Sequence, residues 1–137
     1  MRLVVAYLAS AAVFAMIDAA WITLLGPRIY RPLIGDILAD QVRLGPAIGF
    51  YGLYIGGIVA LAAAPALRDG GWRRAATSGA VLGLVAYGTY DLTNQATLKV
   101  WAMQITLLDM TYGALATALA AAVGYLAASW SARALAR

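Results

Sequence analysis

Three aspartates interrupt long apolar runs in this chain: Asp18, Asp91 and Asp109. A carboxylate in such a run can accept hydrogen bonds, hold a cation or exchange a proton. At the centre of a membrane helix it costs about 2.5–3.5 kcal/mol to insert, so it should face the bundle interior with partners. Each aspartate has polar or aromatic neighbours at helical spacing. Tyr87 stands four residues before Asp91, Tyr90 adjoins it and Asn94 follows three residues later; Tyr112 is three after Asp109, and Trp21 three after Asp18. Tyr51 and Tyr54 enter from another segment, and Lys99, Arg28 and Arg31 are candidate counter-charges. These residues predict a polar pocket with aromatic walls, lined by Asp18, Trp21, Tyr51, Tyr54, Tyr87, Tyr90, Asp91, Asn94, Lys99, Asp109 and Tyr112, with Tyr30 and Arg31 as a lid. The competing role for any one of them is an interhelical hydrogen bond, typically worth about 0.6 kcal/mol. Three carboxylates at one depth also repel one another unless a cation or a proton separates them.

The chemistry excluded is broad. The chain has neither cysteine nor histidine, and its six acidic residues are all aspartates. Disulfides, thiolate and imidazole metal sites, His-ligated haem and Cys or His catalysis are therefore absent. Any metal held by side chains would be a hard, oxygen-liganded cation. No metal, cofactor or catalytic residue is assigned. The formal net charge of +4 could suit nucleic acid, but the basic residues are scattered at the ends of apolar segments, which is a topological pattern.

The elements that must position these side chains are membrane helices. Of the 137 residues, 64% are hydrophobic and 12% charged, and the mean hydropathy of +0.80 belongs to an integral membrane protein. Four runs approach the ~20 residues needed to cross a bilayer, at about 3–25, 47–67, 75–96 and 103–128. The expected fold is an all-α membrane protein, one transmembrane domain over 1–137 with four helices in a compact bundle. Gly26-Pro27 should stop the first helix. Ile29, Leu33, Ile34, Ile37 and Leu38 recur at helical spacing, which predicts a short amphipathic helix at about 32–42 in the first outer loop. Gly52 and Gly56, Gly79 and Gly83, and the stripe Gly113, Thr117, Ala120 and Gly124 permit close helix crossing.

Orientation follows from the arginines. Arg2, Arg68, Arg73, Arg74, Arg133 and Arg137 would share one side; Arg28, Arg31, Arg43 and Lys99, diluted by Asp36 and Asp40, lie on the other. The positive-inside rule puts both termini in the cytoplasm. Trp21 and Trp101 then fall near the outer interface, and Trp72 and Trp130 near the inner one. On this frame the three aspartates each lie roughly 10 Å from the outer end of a helix, at 1.5 Å per residue.

Several of these residues resemble a bacterial membrane family, the domain-of-unknown-function family 2177. The resemblance rests on Asp18-Ala-Ala-Trp21, on Tyr30-Arg31-Pro32 with Leu38-Ala39-Asp40, on Phe50-Tyr51-x-x-Tyr54, and above all on Gly83 to Asn94 followed by Ala96-Thr97-Leu98. It closes with Trp101 and the run from Asp109 to Gly113. It implies a small four-helix membrane protein and brings no established activity. An association with enzymes that modify fatty-acyl chains turns the expected ligand towards lipids or apolar small molecules. The leading expectation is a multi-pass protein of the cytoplasmic membrane that binds or handles a small amphipathic molecule or lipid. A small oligomeric ion or solute transporter is a second expectation, and an accessory subunit of a lipid-modifying membrane enzyme a third. A self-sufficient enzyme is the least expected. Partners expected on this basis are membrane lipid, the amphipathic ligand, and a further copy of the chain or a membrane enzyme; nucleic acid is not expected.

Overall fold

Apolar runs without polar partners for their backbone fold as helices, because only a helix satisfies its N–H and C=O groups internally. The computed structural model describes residues 1–135, and every regular element there is helical. Arg137, counted above among the cytoplasmic-side arginines, lies outside the described residues. Helix α1 spans Arg2–Leu25. It does not stop at Gly26-Pro27 but widens into a π-helical turn, Gly26–Tyr30, and runs on through α2 (Arg31–Ile34) and a 3₁₀ turn, Gly35–Ile37. Proline removes a donor and crowds the preceding turn; carrying one extra residue in the next turn lets the helix continue. The helix expected at about 32–42 is therefore the end of this first rod, and Leu38, extended at ψ 143°, breaks it.

Helix α3 (Leu44–Ile58) passes through a second π-helical turn, Val59–Ala63, into α4 (Ala64–Asp69). The reversal into α5 (Gly71–Thr97) needs glycine, since Gly71 sits at φ +80°. Leu98 to Ala102 then turn the chain into α6 (Met103–Leu135). Three helical rods, Arg2–Ile37, Leu44–Asp69 and Met103–Ala134, are long and apolar enough to cross a membrane.

The bundle is built around α6, which packs most extensively on α5 and next on α1; α3 touches its neighbours sparsely. Backbone proximity explains the first pairing. A Cβ on Gly83 would run into the carbonyl of Gly113, and one on Gly79 would come within 2.7 Å of the Thr117 carbonyl oxygen. Gly113 in turn receives the Tyr87 ring, and Gly124 the buried Ser10 side chain, whose hydroxyl donates to the Ala120 carbonyl at 3.0 Å. Gly52 and Gly56 are different: a Cβ there would meet no closer neighbour than the Tyr7 hydroxyl at 4.0 Å, so that GxxxG pair is not a crossing point. The core between the helices holds Phe14, Ile55, Ile58 and a floor of small residues on α6. Leu and Val side chains such as Leu8, Leu53, Leu61 and Leu115 face outward, as a lipid-facing surface requires.

Candidate functional site

The site lies at the end of the bundle where α1 and α5 finish and α3 and α6 begin. Asp18 projects from the last third of α1 and is 8% exposed. It accepts from two phenols, Tyr51 of α3 and Tyr112 of α6, the latter at 2.8 Å. Asp109, equally buried, accepts from the Tyr30 hydroxyl, and Tyr30 accepts from the Trp21 indole N–H at 2.8 Å. The two carboxylates are joined by stacked rings. Trp21 lies over Tyr112 with centroids 4.1 Å apart, Tyr87 meets Tyr112 edge-on at 5.7 Å, and Tyr54 meets Tyr87 at 6.3 Å. Tyr54 is anchored separately by a 2.7 Å hydrogen bond with the buried Thr117 hydroxyl.

Asp91 is the third carboxylate and the most buried, with no exposed surface. Among the described residues, neither of its oxygens has a hydrogen-bond partner. It lies close to Asp109, so two acceptors meet unless a proton or a cation lies between them.

The structure thus brings together Asp18, Trp21, Tyr30, Tyr51, Tyr54, Tyr87, Asp91, Asp109 and Tyr112. It does not bring in the remainder. Tyr90 is 60% exposed and packs edge-on against Trp101 outside the site. Asn94 is half-buried, and only its backbone carbonyl is used, by the Leu98 N–H at 2.9 Å. Lys99 and Arg28 are exposed and make no ion pair among the described residues. Arg31 stands at the rim, whereas Tyr30, expected beside it in a lid, lies within the hydrogen-bonded network.

Much of the polarity of α5 is spent locally. Thr89, Thr93 and Thr97 are exposed, and each donates back to the carbonyl four residues earlier, at 2.7, 2.5 and 2.7 Å. Such back-bonding satisfies the hydroxyl without any other helix. Replacing each of the three with Val, which matches Thr in branching, should change the melting free energy of the detergent-solubilised protein by no more than about 0.5 kcal/mol. A larger loss for any one of them, read from thermal unfolding, would mean that its hydroxyl serves a partner outside α5.

Two features were not singled out from the sequence. Thr106, 1% exposed, links Trp101 (N–H to its oxygen, 3.0 Å) to the Gln95 side chain (3.2 Å), pinning the α5–α6 turn beside the site. Arg43, Gln41 and Val42 form the far rim of the cavity. Nothing in residue spacing marks a loop that returns to a helix end ten or more residues away.

The open cavity measures about 1020 Å³ and is bounded by Asp18, Trp21, Tyr30, Tyr87, Asp109 and Tyr112 on the bundle side and by Ile37, Leu38, Val42 and Arg43 on the loop side. A second, apolar groove of about 490 Å³ runs along α1 and α6 between Ile17, Leu108, Leu115 and Leu119. Trp21 and Tyr112 wall both. Among the described residues, no group of three or more acidic side chains is placed to share a metal ion. No curated protein and no solved structure matches the chain. Residues 3–126 match the family described as predicted membrane protein (DUF2177), and the chain belongs to that family.

Proposed function

We propose that this protein binds an amphipathic molecule, its head in the Asp18–Asp109 cavity and its tail in the groove beyond the Trp21–Tyr112 stack. One observation carries the reading: a largely apolar cavity that holds the Asp18 and Asp109 carboxylates and an almost wholly apolar groove share the same pair of stacked rings as a wall. A head group and a chain need adjoining sites of opposite character, and small-molecule pockets are mostly apolar with a few convergent polar groups. Tyr51, Tyr112 and Tyr30 hold the two carboxylates in fixed orientation, which pre-organises the polar end.

The setting we propose is the bacterial cytoplasmic membrane, crossed four times with both termini inside. Helix α5, with 27 residues, is roughly 40 Å long at 1.5 Å per residue, enough to span. Its outward threonines are bonded to their own helix, so the low hydropathy of α5 overstates what lipid would meet. Arg2, Arg68, Arg73, Arg74 and Arg133 cluster at the end opposite the cavity, which then opens towards the outer leaflet.

The test is a fold-neutral plug. Ala39 lines the cavity but is exposed and lies outside the helices, so Ala39→Trp fills the space without disturbing a packed side chain. Amphiphile carried through purification, measured by mass spectrometry of the extracted protein, should fall about tenfold, equivalent to 1.4 kcal/mol. Unchanged lipid content in a well-folded Ala39→Trp protein would refute binding at this place.

A further inference from the structure

We infer that the head group recognised here carries a primary ammonium, so that the ligand supplies the positive charge this site lacks; the inference rests on the amphiphile-binding reading above. Asp18, Asp91 and Asp109 are each more than nine-tenths buried. Aspartates are seldom so buried unless paired, because a carboxylate removed from water without a counter-charge is costly. Among the described residues the one ion pair, Arg74–Asp69 at 2.9 Å, is at the opposite end of the bundle. The arginines that reach the cavity, Arg31 and Arg43, are at its rim.

The donor inventory makes the deficit specific. Each ionised carboxylate offers about four acceptor positions. Asp18 receives two phenols, Asp109 one, and Asp91 none. An ammonium is the complement of that surplus: three donors, no acceptor and a full charge. The walls are compatible with it, since the aromatic residues Trp21, Tyr30 and Tyr87 bound the same cavity, and an aromatic face attracts a cation. Asp91 does not line the cavity but lies close to Asp109, so a proton held between that pair would still leave one negative charge beneath the head-group position, in addition to that of Asp18. A bare metal ion fits less well. The cavity is far larger than an ion needs, and among the described residues no three acidic side chains are grouped to enclose one. Arg31 and Arg43 at the rim stand where a phosphate attached to the ammonium would emerge, which makes a phosphoethanolamine-type head the best-matched form.

The deciding comparison is between ligands on the wild-type protein, so it does not depend on a variant folding. Purified wild-type protein in a neutral detergent is titrated, by native mass spectrometry, with lysophosphatidylethanolamine, its N-acetyl derivative of the same chain length, ethanolamine alone, and sodium. The inference expects lysophosphatidylethanolamine to bind about tenfold or more tightly than the N-acetyl form, which keeps the chain and phosphate but loses the charge. It also expects Asp109→Asn, nearly isosteric, to erase most of that preference while still binding the N-acetyl form. Equal binding of the two lipids overturns ammonium recognition and leaves the amphiphile reading standing. Binding of neither lipid overturns both. Ethanolamine binding as tightly as the lipid keeps the ammonium site but assigns it to a free amine. Displacement of the lipid by millimolar sodium overturns the inference in favour of a metal cation.

Discussion

Gly83→Val is expected to yield no stably folded protein. A side chain at this position would enter the carbonyl group of Gly113, whose carbon lies 2.6 Å from the Cβ position, and would press on the Thr117 hydroxyl oxygen at 2.7 Å. The first obstacle is backbone, and the second is a buried hydroxyl held by its hydrogen bond with Tyr54. Relief requires α5 and α6 to separate, and theirs is the most extensive helix contact in the bundle. Overpacking usually costs about 1–3 kcal/mol, and more where backbone must move, against a total stability of about 5–15 kcal/mol. In lipid there is no compensating hydrophobic drive to hold the helices together at a greater distance. Size-exclusion chromatography and thermal unfolding in detergent give the readout. Gly57→Ala serves as the control, since a Cβ there meets nothing within 4 Å; it should be neutral or stabilising by up to about 1 kcal/mol. A Gly83→Val protein that melts with the wild type would mean that the α5–α6 crossing is not where the bundle's stability resides.

Tyr112→Ala is the second large effect, and it separates into parts. Tyr112 is 6% exposed, donates to Asp18, stacks on Trp21 and makes a T-shaped pair with Tyr87. The conservative Tyr112→Phe removes the hydroxyl and leaves Asp18 with Tyr51 as donor. Interhelical hydrogen bonds within a membrane range from about 0.6 to 1.7 kcal/mol, and a buried carboxylate acceptor places this one at the upper end. Truncation to Ala adds the lost ring contacts, about 0.5–1.5 kcal/mol for each aromatic pair, and a cavity between α1 and α6. The apolar transfer term is small where the alternative surroundings are lipid. A loss of about 3 kcal/mol is therefore expected for Tyr112→Ala and about 1.5 for Tyr112→Phe, measured by denaturant unfolding in micelles. Equal losses would assign the whole effect to the hydrogen bond and make the stack incidental. Because the ring walls both the cavity and the groove, Tyr112→Ala should also release bound amphiphile, whereas Tyr112→Phe should retain much of it.

The aspartates were legible in the sequence because charge in an apolar run is expensive, so Asp18 and Asp109 had to face inward. Tyr51, Tyr54, Tyr87 and Tyr112 followed from helical spacing and from their place at the same helix ends. What spacing does not give is how far a neighbouring helix extends. Asn94 falls near the face of Asp91, yet it is half-buried and among the described residues finds no side-chain partner at the end of α5. Tyr90 is one residue from Asp91, about 100° around the helix, and faces outward with Trp101. Lys99 follows the end of α5, and the chain has turned before it could reach the carboxylates. The hydroxyls of Thr89, Thr93 and Thr97 made this stretch look richer than it is, since sequence records an oxygen but not whether its own helix has bonded it. Gly26-Pro27 misled in the other direction: it is a common stop, and only the widened turn shows that the rod continues.

That widened turn has a consequence for how the chain tolerates length changes. Gly26–Tyr30 spends one more residue per turn than an α-helix would, and Tyr30 stands at its end, bonded to Asp109. The surplus residue works as slack in the indexing of the rod. Were the turn to tighten into α-geometry with every residue kept, all that follows would swing by about 100° and the Tyr30 phenol would leave its carboxylate. A relative one residue shorter between Leu25 and Tyr30 could present the same phenol from an ordinary helix. Aligning the two by helix position rather than by sequence count would then be the way to recognise the shared site.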